Sequence, residues 1–233
     1  SLNPVDGITV SMWLYLSEDP DCDGNNNYRS ILYKGWTCCV HDGYDIMMED
    51  DRSISWDVGT AGNPMRYLSS VFLPIGEWTF LTCTYDAQTS QAKMYFNGVE
   101  VPADHGYGEH GSGSILPNYS SLNFSYSAYE ECPSYGSGTF PGIYDEVRLW
   151  NYARSQEDIQ AGMNAELTGD EEGLAGYWPL NEGTGTEVLD MSPNGNHGYF
   201  NGGVRWIRSD APIMRWLMIP VSTGVVQAGA DLA

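Results

Sequence analysis

Residues 19–27 read Asp-Pro-Asp-Cys-Asp-Gly-Asn-Asn-Asn. Carboxylates at Asp19, Asp21 and Asp23, followed by Gly24, make the D-x-D-x-D-G half of a calcium loop. Alternate positions turn side-chain oxygens inward, and the glycine permits the bend that brings backbone carbonyls to the same ion. Asn25 or Asn27 supplies a further oxygen. The twelfth position is Ser30 rather than a bidentate glutamate, and no helix is expected on either side, so this is not an EF-hand. Two readings stand: a loop calcium site, or an Asx-rich turn with no ion.

A second group is aromatic. Trp36, Tyr107, Tyr129 and Tyr135 fall in or near segments rich in Gly, Ser, Asp and Asn. Exposed rings of this kind stack on the apolar face of a sugar while neighbouring carboxylates and amides accept its hydroxyl hydrogen bonds. Such tyrosines also serve ordinary loop packing. Trp13, Trp78, Trp150 and Trp178 lie inside strand patterns and are expected in the core. Asn118-Tyr-Ser and Asn123-Phe-Ser fit the short N-glycosylation pattern.

These groups need a scaffold, and the chain describes one built of strands. At 233 residues, 42% of them hydrophobic, it suits one large all-β domain with a small remainder. Turn chemistry separates the strands; Asn97-Gly98 is a two-residue hairpin signal. Residues 104–121 and 125–139 read as long rim loops. The formal net charge is -21, and Lys34 and Lys93 are the only lysines. So acidic a surface repels phosphate backbones and anionic membranes, which argues against nucleic-acid binding. No stretch is apolar enough to insert into a bilayer.

The sharpest single element is Gly142-Ile-Tyr-Asp-Glu-Val-Arg-Leu-Trp150. Its period of two predicts a strand with Ile143, Val147 and Leu149 on a buried face and Tyr144, Glu146 and Arg148 on a solvated one. Ser155 then stands as N-cap, with Asp158 three residues on, before a short helix near 156–164 expected to cross the sandwich edge.

That strand and helix resemble the end of a laminin-G-like (concanavalin A-like) jelly roll, in which G-x-I-D-E-V-R-I-W leads into N-R-A-L-S. Gly7-Ile-Thr-Val-Ser-Met-Trp13, Gly76-Glu-Trp-Thr-Phe-Leu-Thr-Cys-Thr-Tyr-Asp86 and Gly173-Leu-Ala-Gly-Tyr-Trp178 resemble other strands of that family, in the expected order. The resemblance implies an all-β, two-sheet antiparallel jelly-roll sandwich over residues 1–208. It also implies a structural calcium at Asp145, with Asp190, Asn194 and Asn196 as further candidates. Glu130-Glu131 is distantly similar to an acidic loop of pentraxins. Ser1-Leu-Asn-Pro4 resembles the middle of the family pattern, so an opening strand is expected upstream. Residues 209–233 are similar to the start of an immunoglobulin-like repeat, and would form a linker and an opening or exchanged strand.

Glycoside hydrolases of this architecture carry E-x-D-x-x-E. Here Glu49-Asp-Asp51 is consecutive, and Asp145 and Glu146 are expected on opposite faces, so no catalytic pair is anticipated. Loop cysteines near one rim suit disulfides: Cys22 and Cys132 each with one of Cys38 and Cys39, leaving Cys83 buried and free. A zinc site is the alternative, although no C-x-x-C pair accompanies it. The expectation is an exported, non-catalytic recognition or adhesion module, binding carbohydrate and stabilised by calcium. Its alternatives are a structural subunit of a cell-surface protein or filament, self-assembling by strand donation, and an accessory module of a glycan-active enzyme.

Overall fold

The computed structural model describes residues 1–19, 28–37, 40–105, 111–125, 137–200 and 203–213. Two antiparallel sheets enclose the core. The first has six strands in the order β13 (Leu174–Trp178), β12 (Gly142–Trp150), β1 (Gly7–Leu16), β6 (Trp78–Asp86), β7 (Gln91–Phe96) and β8 (Val99–Glu100). The second runs β10 (Asn123–Phe124), β2 (Tyr28–Thr37), β3 (Val40–Met48), β4 (Ser53–Val58), β5 (Met65–Phe72) and β9 (Ala103–His105), with β11 (Ser137–Thr139) parallel to β2. A small ribbon of β14 (Glu187–Val188) and β15 (Gly198–Tyr199) follows. The expected jelly-roll sandwich is what the chain forms.

Alternation builds the core. From β1, Ile8, Val10, Met12 and Leu14 turn inward; from β4, Ile54, Trp56 and Val58 meet them from the other layer. Trp56 is fully buried, and its indole N–H donates to the Thr84 carbonyl at 3.1 Å, so the ring carries no unpaired donor into the core. Asn97 and Gly98 both hold positive φ (51° and 73°), as the tight β7–β8 hairpin requires. Of the four tryptophans expected inside, Trp13, Trp150 and Trp178 are buried, whereas Trp78 is half-buried under Asp210.

β12 departs from the expected single alternation. Its register against β1 slips by one residue: Ser11 faces Arg148, but Trp13 faces Asp145. A bulge at Glu146, in the left-handed region at φ 53°, takes up the extra residue. Tyr144 therefore points into the core before the bulge, while Val147 and Leu149 do so after it. Asp145 and Arg148 share the outer face, and Glu146 reaches Arg148 there. The expectation that Asp145 and Glu146 oppose one another is thus corrected.

Nor is that outer face solvated. Helix α1 (Gln156–Gly162) reaches from the β7–β8 hairpin at the sheet edge, where Gln156 and Gln160 donate to the Gly98 carbonyl, onto the sheet's outer face. Ser155 caps it, accepting from the Asp158 N–H at 3.1 Å. Ile159 packs on Trp13, Phe80 and Tyr95, and Ala211 and Ile213 join the same cluster. Beneath them the Arg148 guanidinium donates to Glu146 (2.6 Å) and to the carbonyls of Gly162 (2.9 Å) and Ala165 (2.7 Å). The Tyr177 hydroxyl is within 3.0 Å of both Glu146 oxygens. A charged pair on a strand usually marks a wet face; here each charge has its partners, so burial is sustained.

The described part of the first long loop, 111–121, is tied down rather than free. Ile115 bridges to Thr60, and the buried Lys34 ammonium donates to the carbonyls of Asn118 (2.6 Å) and Ser120 (3.0 Å). Asn118 in turn donates its amide to Asp42 at 2.8 Å, so this sequon asparagine has a structural use. The immunoglobulin-like pattern from 214 onward lies outside the described residues. Residues 209–213 pack on the first sheet: Ser209 donates to Asp145, and Asn164 donates to the Pro212 carbonyl.

Candidate functional site on the outer face of the second sheet

The outer face of β3, β4 and β5 carries a cluster of polar side chains beside the apolar Met47 and Leu68. Between Ile54, Trp56 and Val58 stand Ser53, Ser55 and Asp57, which alternation sends to the opposite face. Strand register then sets Asp45 directly opposite Asp57, and Arg66 opposite Asp57 on the other side. Like charges at directly opposed positions repel. Asp45 and Asp57 are nevertheless 0% and 1% exposed.

Arg66 spans this face. Its Nε lies 3.2 Å from Asp57 and its Nη2 3.5 Å from Glu49, with the guanidinium 5.3 Å from the centre of the Tyr28 ring. Burial opposes the charge, but Asp57, Glu49 and Asp45 outweigh that and hold the guanidinium protonated. One guanidinium cannot satisfy three carboxyls. Burial, and then repulsion from Asp57, pushes the Asp45 carboxyl well above the carboxylate range. Burial likewise raises Asp57 to about 7, against the pull of Arg66. An ionised Asp57 makes it harder still to ionise Asp45, and neither Asp45 oxygen has a hydrogen-bond partner among the described residues.

Beside this group the β3–β4 turn closes a depression of about 310 Å³ lined by Tyr28, Glu49, Asp50, Asp51, Ser53 and Leu68. The turn is locally determined. Asp51 accepts from the Ser53 N–H (2.9 Å) and hydroxyl (2.5 Å), and Arg52 takes φ 69° with its N–H donating to the Glu49 carbonyl at 2.9 Å. The result is a half-buried aromatic ring, an aliphatic side chain and several carboxylate acceptors around one hollow. Those are the parts that recognise a polyhydroxylated ring with one apolar face.

Sequence reasoning missed Tyr28, Asp45, Glu49 as a wall, Asp57 and Arg66. The signal was present as an aspartate alternating with core residues in Tyr44-Asp-Ile46 and again in Trp56-Asp-Val58. What the sequence lacks is the register that pairs them.

Only some of the expected site residues are among those described. Trp36 pairs with His41 in the β2–β3 ladder; Tyr107, Tyr129 and Tyr135 lie outside the described residues. So do Asp21, Asp23 and Asn25, and the cysteines Cys22, Cys38, Cys39 and Cys132. Cys83 is buried and free, as expected. Asp19 is exposed and lies 3.6 Å from Arg52, so the acidic segment leaves β1 beside the depression. Asp145 sits under Ser209 on the far sheet. Asp190 is a hub. Its carboxylate accepts from the N–H groups of Tyr177, Ser192 and Asn196 and from the Asn196 amide, at 2.7–2.9 Å. Those bonds outweigh burial and hold its carboxyl below the usual range. Asn194 and Asn196 both donate to the Ala175 carbonyl, so this stretch staples a loop to β13. Among the described residues no three His, Cys, Asp or Glu side chains are grouped to hold a metal, and no helix is long and apolar enough to cross a membrane.

A family model described as the concanavalin A-like lectin/glucanases superfamily matches residues 1–160. A solved structure from Bacteroides ovatus ATCC 8483, provisionally described as a carbohydrate binding protein, is similar at TM-score 0.67 and 21% identity, over 90% of this chain and 55% of that one. The chain thus spans about half the length of that protein. Weaker likenesses include domain 4 of AbnA, a GH43 extracellular arabinanase from Geobacillus stearothermophilus solved with arabinotriose (TM-score 0.44, 17% identity, 68% of this chain and 66% of that one). Another is the CBM40 of a Ruminococcus gnavus IT-sialidase bound to alpha2,3 sialyllactose (TM-score 0.44, 10% identity, 68% and 83%). No curated protein matches the sequence.

Proposed function

The chain belongs to the concanavalin A-like lectin/glucanases superfamily, and from that premise we propose that it is an exported, non-catalytic carbohydrate-binding module whose ligand sits on the outer face of the second sheet. The observation that carries this reading is the hollow walled by Tyr28, Glu49, Asp50 and Leu68 next to the Arg66 network. The description of the Bacteroides ovatus relative agrees with it.

Catalysis is disfavoured by the same geometry. Two carboxyls that flank a glycosidic bond stand roughly 5–9.5 Å apart. Asp45 and Asp57 instead stand directly opposed on adjacent strands and are closed to solvent.

Calcium belongs to the proposal through Asp19, Asp21, Asp23 and Asn25, whose all-oxygen donor set suits a hard cation. The exposed Asp19–Arg52 pair is worth at most about 1 kcal/mol and does not compete seriously with a divalent ion. Bound there, the ion would stabilise the folded chain.

A glycan array with and without chelator tests both parts. Binding is expected in calcium and falls at least about tenfold in Tyr28→Ala and Glu49→Gln, the loss of a stacking ring or a charged acceptor. Chelation lowers the unfolding midpoint by several degrees, since an ion held only by the folded state stabilises it. A folded sample that retains no glycan under either condition refutes the reading, and an unchanged midpoint refutes the calcium.

A further inference from the structure

Charge on the binding face is one-sided, and this narrows the ligand. Glu49, Asp50 and Asp51 line the depression. Two guanidiniums border it, and each is engaged: Arg66 with Asp57 and Glu49, and Arg52 with Asp19 and the Leu73 carbonyl. Arg29, adjacent to Tyr28, turns to the other face, against Gly138. On the same face as Arg66, Asp45 is fully buried opposite Asp57. Carboxyl groups thus outnumber guanidiniums at the depression, and its lining is net negative.

A sugar hydroxyl or ammonium brings donors to such a site. A sialic acid, uronic acid or sulfated sugar brings a full negative charge into a partly desolvated acidic hollow, where repulsion is only weakly screened. We propose that this site selects glycans carrying no acidic group, and that the Glu49–Asp51 turn acts as a filter against anionic sugars. This rests on the carbohydrate-binding reading above and specifies its substrate class.

The test compares matched pairs that differ only in an acidic group, such as galactose with galacturonate and galactose with galactose 6-sulfate, as monomers or as oligomers of equal length, titrated against the full chain at low and high salt. The uncharged member of a pair is expected to bind at least about tenfold tighter. The gap should widen as salt is lowered and shrink in Asp50→Asn. If the acidic member binds equally or more tightly, the filter is overturned while the carbohydrate-binding reading survives. A gap indifferent to salt and to Asp50→Asn also overturns it, because shape rather than charge would then be discriminating. If a folded sample binds neither member of any pair, nor anything on the array, both readings fall together.

Discussion

Arg148→Ala is expected to lower the free energy of unfolding by about 3–5 kcal/mol, the cost of leaving one member of a buried ion pair without its partner. Three losses combine. Glu146 stays fully buried with only the Tyr177 hydroxyl as donor. The carbonyls of Gly162 and Ala165, where the chain leaves α1, lose their donor. The bulge itself holds Glu146 at φ 53°, a conformation a glutamate adopts at some cost. The Glu146–Arg148 contact is what offsets that cost. Arg148→Lys should recover little, because one ammonium cannot reach Glu146 and both carbonyls as a planar fork does. Urea unfolding measures the effect. A loss under about 1 kcal/mol would mean that the network adds nothing net. Because this pair lies on the first sheet, glycan affinity measured well below the melting point should be unchanged.

The second large effect is a pH dependence opposite to that of an ordinary acidic protein. A carboxyl whose folded pKa exceeds its unfolded value contributes stability that is complete below the unfolded pKa and lost as pH rises through the folded one. Asp57, raised to about 7 by burial, and Asp45, raised by burial and by Asp57, are such groups, against an unfolded value near about 3.9. Glu49 and Glu146 are raised as well, each chiefly by burial. Arg66 stays charged throughout, and Ser55, 3.5 Å from it, does not titrate. Stability should therefore fall by a few kcal/mol between about pH 4 and pH 7. Asp190 and Glu171, both lowered by hydrogen bonds, work the other way and erode stability below the ordinary carboxylate range. The result is a maximum in mildly acidic solution. Asp45→Asn removes one of the two buried carboxyls and the repulsion between them, so its profile should be flatter and its midpoint higher at pH 8. Thermal melts across this range decide it. A wild-type midpoint that climbs from pH 5 to pH 8, or an Asp45→Asn profile parallel to it, contradicts two carboxyls raised by burial.

The fold was legible in the sequence because core alternation in β1, β4 and β6, the Asn97-Gly98 turn and the Ser155 cap are local. The bulge was not, since nothing in Tyr144-Asp-Glu-Val147 announces a slip that only the β1 register reveals. The opposite charges of Glu146 and Arg148, two residues apart, suggest a wet face, but the helix and its following turn cover them. The site shows the same limit. Asp45, Asp57 and Arg66 lie on three strands, and only pairing assembles them; the family resemblance pointed instead to Asp190, whose carboxylate accepts from the Tyr177 and Asn196 N–H groups.

Hydrogen exchange of the full chain, with and without a saturating glycan chosen from the array, tests the location most directly. Slower exchange is expected at the Glu49–Ser53 turn and along Met65–Leu68, with no change in β12 or α1. Protection confined to the first sheet, or absent from the 49–53 turn, would contradict a binding face on the second.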